Sequence, residues 1–153
     1  MNTAANNLQD IYRRKVLDHS RHPHNCSRPD QIDKQATGFN PLCGDKVSVY
    51  LQVAGDAIRH AAFEGTGCAI CIASASMMTV ALTGQTIAQA RQFVTDVSKM
   101  FADGTTLNDE VLADIGALES VRHYPSRVKC ATLAWTTVAA ALNDNTQTVS
   151  TEN

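Results

Sequence analysis

The chain has 153 residues, of which 44% are hydrophobic, and a formal net charge of −2. This length can bury a hydrophobic core without disulfides, and this charge gives no bulk attraction to nucleic acid or to an anionic membrane. Residues 1–17 lack the apolar core of a signal peptide, and the apolar run at 69–82 is too short to cross a bilayer. We therefore expect a soluble, cytoplasmic protein that forms one domain over 1–153, with its core at about 8–142.

Hydrophobic periodicity predicts helix first and strands next. Apolar residues at helical spacing indicate an amphipathic helix over about residues 7–20. Alternating apolar and polar residues predict a strand at 46–53, and the segment 57–65 returns after a turn as a second strand. Residues 35–40 supply a third strand, and a short antiparallel meander is the economical arrangement. The sequence thus predicts a three-stranded antiparallel sheet.

The rest of the chain is predicted to be helical. Helices are expected at 68–82, from Thr86 to Gly104, in a short segment capped by Asn108, and at 126–142. Thr86 with Gln89 fits a capping box. The tail at 143–153 is polar and is expected to be disordered. The predicted fold class is α+β.

The cysteines carry the chemistry of this sequence. There are five of them, Cys26, Cys43, Cys68, Cys71 and Cys130. An odd number without an export signal disfavours a disulfide framework. Thiols in a reducing compartment are buried, bound to metal or reactive.

Three cysteines lie where a metal could be held. Cys43 and Asp45 are on the loop that enters a predicted strand, Cys68 begins a predicted helix, and Cys130 is expected in the first turn of the last helix. A helix N-terminus favours thiolate over thiol. Three dispersed thiols and a carboxylate can complete one tetrahedral zinc site. The alternative is that these cysteines are three separately buried small hydrophobes.

Three segments in order carry a resemblance to a known family. "NPLCGD" at 40–45, "FEGTGCAICIASASMM" at 63–78 and "RVKCATLAW" at 127–135 together resemble the U-type iron–sulfur cluster assembly family, which includes IscU, NifU and SufU. The resemblance covers roughly residues 8–142. It implies an α+β domain with a three-stranded antiparallel sheet packed against about five helices. It also implies a tetrahedral zinc ion held by Cys43, Asp45, Cys68 and Cys130.

Two departures within these segments indicate the SufU branch. Scaffold-type IscU members have a histidine immediately before the third cysteine, where this chain has Lys129. The long interval before that cysteine, with its extra stretch near 99–127, resembles the insertion that marks SufU. The resemblance therefore implies a zinc-dependent sulfurtransferase that accepts persulfide sulfur on Cys43. The implied partners are a cysteine desulfurase of the SufS type and a downstream iron–sulfur scaffold.

Other functions remain open at this point. The same ligands could hold iron or a [2Fe–2S] cluster on a scaffold, or zinc in a structural module without turnover. Arg127, one turn before Cys130, is either a thiolate or persulfide stabiliser or a surface charge at the start of a helix. Cys71, one turn after Cys68, is either a buried packing residue or a second reactive thiol. The second alternative arises because "CAIC" resembles a redox CxxC motif.

Overall fold

The structure is a computed structural model that describes residues 13–145 and 147–151. Its strands are Lys34–Asn40 (β1), Asp45–Ala54 (β2), Ala57–Thr66 (β3) and Val149–Ser150 (β4). Its helices are 13–21 (α1), Ala69–Leu82 (α2), Ile87–Asp103 (α3), Pro125–Leu142 (α4) and two 3-10 helices, Glu110–Leu112 and Ile115–His123. The predicted α+β class is confirmed. The part of the predicted first helix before residue 13 lies outside the described residues.

The sheet has four strands in the order β3-β2-β1-β4. The predicted antiparallel pairing of the first three strands is confirmed. The prediction of a purely three-stranded antiparallel sheet is wrong, because β4 pairs with β1 in parallel. The open edge of β1 offers unpaired backbone groups that can accept another strand. The tail expected to be disordered supplies that strand at Val149–Ser150, a segment too short to show periodicity.

Two helices cover the buried face of the sheet. α2 packs on β3, α4 packs on β1 and β2, and these helices also pack on each other. Most of α2 is buried, whereas α3 has one apolar stripe and packs on α4. Large buried side chains of this core include Trp135, Phe63, Phe93, Leu51, Ile58 and Met78. Within the described ranges, no helix has both the length and the apolarity that crossing a bilayer requires.

Helix starts match the prediction in one case and differ in two. The predicted cap at Thr86 is confirmed, since its side chain accepts the backbone N–H three residues on at 3.0 Å. The first 3-10 helix is capped by Asp109 and not by Asn108. α4 begins at Pro125, since the missing N–H of proline costs nothing in a first turn. Cys130 consequently lies in the second turn of α4, not in the first turn as predicted.

Candidate metal centre

The turn between β1 and β2 presents the first predicted ligand. Asn40 at the end of β1 pairs with Asp45 at the start of β2, so residues 41–44 form the turn. The N–H of Gly44 donates to the carbonyl of Asn40 at 2.8 Å, and Gly44 has a φ of 74°, which glycine adopts without steric cost. Cys43 is exposed in this turn. The backbone of the hairpin therefore presents the thiol of Cys43 to solvent beside the buried start of β2.

Asp45 is a buried carboxylate, and both of its oxygens accept hydrogen bonds. Only 1% of its surface is exposed. Its Oδ1 accepts the backbone N–H of Cys68 at 3.1 Å, and its Oδ2 accepts the side-chain N–H of Asn40 at 3.3 Å. Cys68 is the N-cap of α2, so the carboxylate also lies at the positive end of that helix. These contacts offset part of the cost of burying a carboxylate.

Cys130 brings a second sulfur to the same place from α4. Its Sγ lies 3.8 Å from Sγ of Cys43 and 3.5 Å from the carbonyl oxygen of Ser126. Burial raises the pKa of the Cys130 thiol, and its contacts with Asp45 and Cys68 raise that pKa further. The expectation that a helix N-terminus favours the thiolate is therefore wrong for Cys130, which lies beyond the first turn and is fully buried. A bound cation would reverse this balance, because it stabilises thiolate directly.

The ligand atoms of three predicted residues converge. The sulfurs of Cys43 and Cys130 and a carboxylate oxygen of Asp45 all lie within 4.8 Å of one another, and Cys68 is not part of that group. The Cys68 thiol is nonetheless a neighbour, since it is among the groups that raise the pKa of Cys130. The start of α2 and the second turn of α4 thus flank the hairpin turn with one thiol each.

The donor set and its spacing fit zinc. Zn–S bonds of about 2.3 Å in a tetrahedral site place two sulfur ligands about 3.8 Å apart, and the sulfurs of Cys43 and Cys130 are 3.8 Å apart. Thiolate and carboxylate are both zinc ligands, and the carboxylate is the harder of the two. Thiolates also bind iron–sulfur clusters, so the donor types alone are compatible with iron as well.

Two further residues singled out in the sequence lie apart from this group. Cys71 is completely buried in α2, and burial, followed by the charges of Asp45, Cys68 and Cys43, raises the pKa of its thiol to about 12. A thiol in that state is a poor nucleophile. Arg127 lies in the first turn of α4 with its side chain exposed. Its suggested role towards thiolate or persulfide stays a prediction.

Asn40 is a site residue that the sequence reading did not single out. Its side chain is completely buried, and its Nδ2 donates to Asp45 and approaches Sγ of Cys130 at 3.8 Å. Its Oδ1 accepts the N–H of Leu42 at 3.3 Å and the hydroxyl of Thr151 at 3.1 Å. The signal that could have found it is the alternation of β2, which continues back to Asp45, because the residue paired with Asp45 across the hairpin lies on the same face.

Comparison with known proteins identifies the family of the chain. Residues 11–131 match the NifU-like N-terminal domain family, and the chain belongs to that family. The resemblance to IscU, NifU and SufU is thereby confirmed.

Two relatives and one solved structure illustrate the match. The chain is similar to the zinc-dependent sulfurtransferase SufU of Bacillus subtilis (strain 168), with 41% identity over 134 residues that cover 84% of this chain and 87% of the relative. It is similar to the iron–sulfur cluster assembly scaffold protein IscU of Streptococcus pyogenes serotype M1, with 34% identity over 139 residues, or 91% and 87% of the two chains. A crystal structure of the N-terminal part of a nitrogen-fixing NifU-like protein from Brucella abortus has a TM-score of 0.81 at 26% identity, covering 90% of this chain and 96% of that one.

Proposed function

We propose that this protein is a zinc-dependent sulfur carrier of iron–sulfur cluster assembly. In this proposal Cys43, Asp45, Cys68 and Cys130 hold the zinc ion, and Cys43 accepts sulfur. The observation that carries the proposal is the position of Cys43, which is exposed although its sulfur lies 3.8 Å from the buried sulfur of Cys130. A thiol that belongs to a donor cluster and is also reachable from solvent suits sulfur transfer.

Cys43 differs from the other two thiols in what must move for it to react. It lies in the four-residue turn 41–44, whereas Cys68 caps α2 and Cys130 is inside α4. Moving Cys43 disturbs a turn, but moving Cys130 would disturb a helix packed in the core. When bound, zinc keeps the coordinating thiols in the thiolate form that attacks sulfur at neutral pH. The chain itself provides the mobility and the access of the acceptor.

The transfer is a sulfur exchange without net oxidation. The thiolate of Cys43 attacks the terminal sulfur of a cysteine persulfide on the donor, and a new S–S bond forms. The S–S bond within the donor breaks, and the donor cysteine leaves as a thiolate. The terminal sulfur keeps its proton and remains on Cys43 as a persulfide. Delivery to an acceptor thiolate is the same exchange with Cys43 as the leaving thiolate.

Two observations support a protein as the sulfur donor. Leu42, beside Cys43, exposes 64% of its surface and offers an apolar contact next to the acceptor thiol. A relative that is 41% identical is named a zinc-dependent sulfurtransferase. The donor in our proposal is a cysteine desulfurase of the SufS type, and the recipient is a downstream iron–sulfur scaffold.

The test combines metal content with sulfur loading. Elemental analysis of the purified protein should find about one zinc per chain. Incubation with a cysteine desulfurase and cysteine, followed by intact-mass spectrometry, should show added sulfur. Cys43→Ala should abolish that gain. The matched control is Cys71→Ala, which removes a buried thiol and should retain the gain.

Two results would contradict the proposal. Stoichiometric iron with a visible cluster, without zinc and without sulfur gain, would favour a scaffold function, which is the role in the name of the Streptococcus pyogenes relative. Sulfur gain that persists in Cys43→Ala and disappears in Cys71→Ala would make Cys71 the acceptor. Circular dichroism of each variant establishes that a loss of gain is not a loss of folding.

A further inference from the structure

We infer that Asn40 is a positioning residue of the proposed zinc centre and that the C-terminal segment helps to hold its side chain in place through Thr151. The inference rests on the proposed function, because it concerns the ligands named there. It adds two residues that are not ligands, one at the end of β1 and one immediately after β4. Asn40 contacts two of the ligands directly, and Thr151 contacts Asn40 directly.

Both ends of the side-chain amide of Asn40 make hydrogen bonds. Its Nδ2 donates to Oδ2 of Asp45 at 3.3 Å and lies 3.8 Å from Sγ of Cys130. Its Oδ1 accepts from the N–H of Leu42 at 3.3 Å and from the hydroxyl of Thr151 at 3.1 Å. The side chain has no exposed surface, so water cannot replace these partners. The amide therefore connects a ligand on β2 with a ligand on α4.

The orientation of the Asn40 amide decides whether it stabilises or destabilises the two anionic ligands. A carboxylate and a thiolate both accept hydrogen bonds, and such charge-assisted bonds are stronger than neutral ones. The reversed amide would place an oxygen against both anions. The backbone N–H of Leu42 can only donate, so it requires the amide oxygen at the opposite end, and the hydroxyl of Thr151 donates to the same oxygen. The N–H of Leu42 thus selects the orientation in which the amide N–H groups face the ligands, and the hydrogen bond from Thr151 holds the amide in that orientation.

Thr151 reaches Asn40 because β4 runs along the edge of β1. The two residues of β4 pair with Gly38 and Phe39. The backbone N–H of Thr151 then donates to the carbonyl of Phe39 at 3.2 Å. This backbone pairing delivers the hydroxyl to Asn40 across 111 positions of sequence. The C-terminal segment thus supports the centre without supplying a ligand.

The experiment uses four point variants of the full chain. They are Asn40→Ala, Thr151→Val, Thr151→Ser and, as a matched control, Thr148→Val, which makes the same change at an exposed threonine of the same segment. Zinc affinity is measured by competition with a chelator, and geometry is followed by the visible spectrum of the cobalt(II)-substituted protein. Asn40→Ala should weaken zinc binding about 10- to 100-fold, as outer partners of metal ligands typically do. Thr151→Val should weaken it about 3- to 10-fold, the effect of one lost hydrogen bond.

The spectra and the double variant separate positioning from general stability. Asn40→Ala and Thr151→Val should shift the cobalt bands in the same direction, and Thr151→Ser should restore the wild-type spectrum. A fifth protein, which combines Asn40→Ala with Thr151→Val, should bind zinc no more weakly than Asn40→Ala alone, because Thr151 acts through Asn40. Wild-type bands in Asn40→Ala, or a Thr151→Val that behaves like Thr148→Val, would overturn the inference. A wild-type chain that binds neither zinc nor cobalt would overturn the proposed function itself.

Discussion

Replacing Gly67 by alanine tests how rigidly the carboxylate of Asp45 is held. The added Cβ would stand 2.5 Å from Oδ1 and 3.0 Å from Cγ of Asp45, and Cβ atoms in proteins essentially never approach another heavy atom within 3.0 Å. Asp45 cannot easily retreat, because it is buried and both oxygens are bound, by Asn40 and by Cys68. Gly67 does not have a positive φ, so alanine adds no backbone strain there. The whole effect therefore comes from overpacking.

The expected magnitude follows from that contact. Overpacking of a filled interior costs about 1–3 kcal/mol. For a domain of this size, each kcal/mol lowers Tm by roughly 2–4 °C. Gly67→Ala should also weaken zinc binding, because the carboxylate must leave the position in which it converges with the sulfurs of Cys43 and Cys130.

Thermal unfolding of the metal-free protein and chelator competition measure the two effects separately. Gly116→Ala is the matched control, since a Cβ at Gly116 meets nothing within 4 Å and this glycine also lacks a positive φ. That variant should melt at or slightly above the wild-type temperature. Wild-type melting together with wild-type zinc affinity in Gly67→Ala would refute the reasoning, because it would mean that Asp45 moves freely.

Two other predictions concern single side chains of the site and its surroundings. Asp45→Ala should weaken zinc binding less than Cys68→Ser in chelator competition, because a carboxylate is a harder ligand than zinc prefers; equal losses would contradict this ranking. Burial raises the pKa of the Cys71 thiol from 9.0 to about 12. Between these two pH values the folded protein keeps a proton that the unfolded chain releases, so the free energy of unfolding falls as pH rises. Urea unfolding of the metal-free protein should therefore show a steeper loss of stability from about pH 9 to about pH 12 in the wild type than in Cys71→Ala. Parallel losses in the two proteins would show that this thiol does not titrate as described.

The sequence predicts the secondary-structure elements that have a clear hydrophobic period, and it does not predict those that lack one. The alternation at 46–53 belongs to β2, and the apolar stripe that follows Thr86 belongs to α3. The strand β4 could not be predicted, because two residues have no period and their pairing depends on the open edge of β1. The position of Cys130 was misjudged for a related reason. The start of α4 at Pro125 puts this thiol beyond the first turn, and the packing of α4 on the sheet and on α2 buries it, so burial and not the helix dipole governs its pKa.

The strands held more information about the site than their secondary structure alone. The buried positions of β2 alternate back to Asp45, and those of β1 alternate forward to Asn40, so both polar side chains lie on the buried face. An antiparallel hairpin with a four-residue turn places these two residues opposite each other. A buried carboxylate facing a buried amide must be satisfied by further partners, so a polar centre at this point follows from local pattern. Its remaining members do not, because Cys130 and Thr151 reach Asn40 across 90 and 111 positions of sequence. Contacts of that range are set by how α4 and β4 pack on β1, and a change in either packing would alter the centre while leaving the local sequence around Cys43 intact.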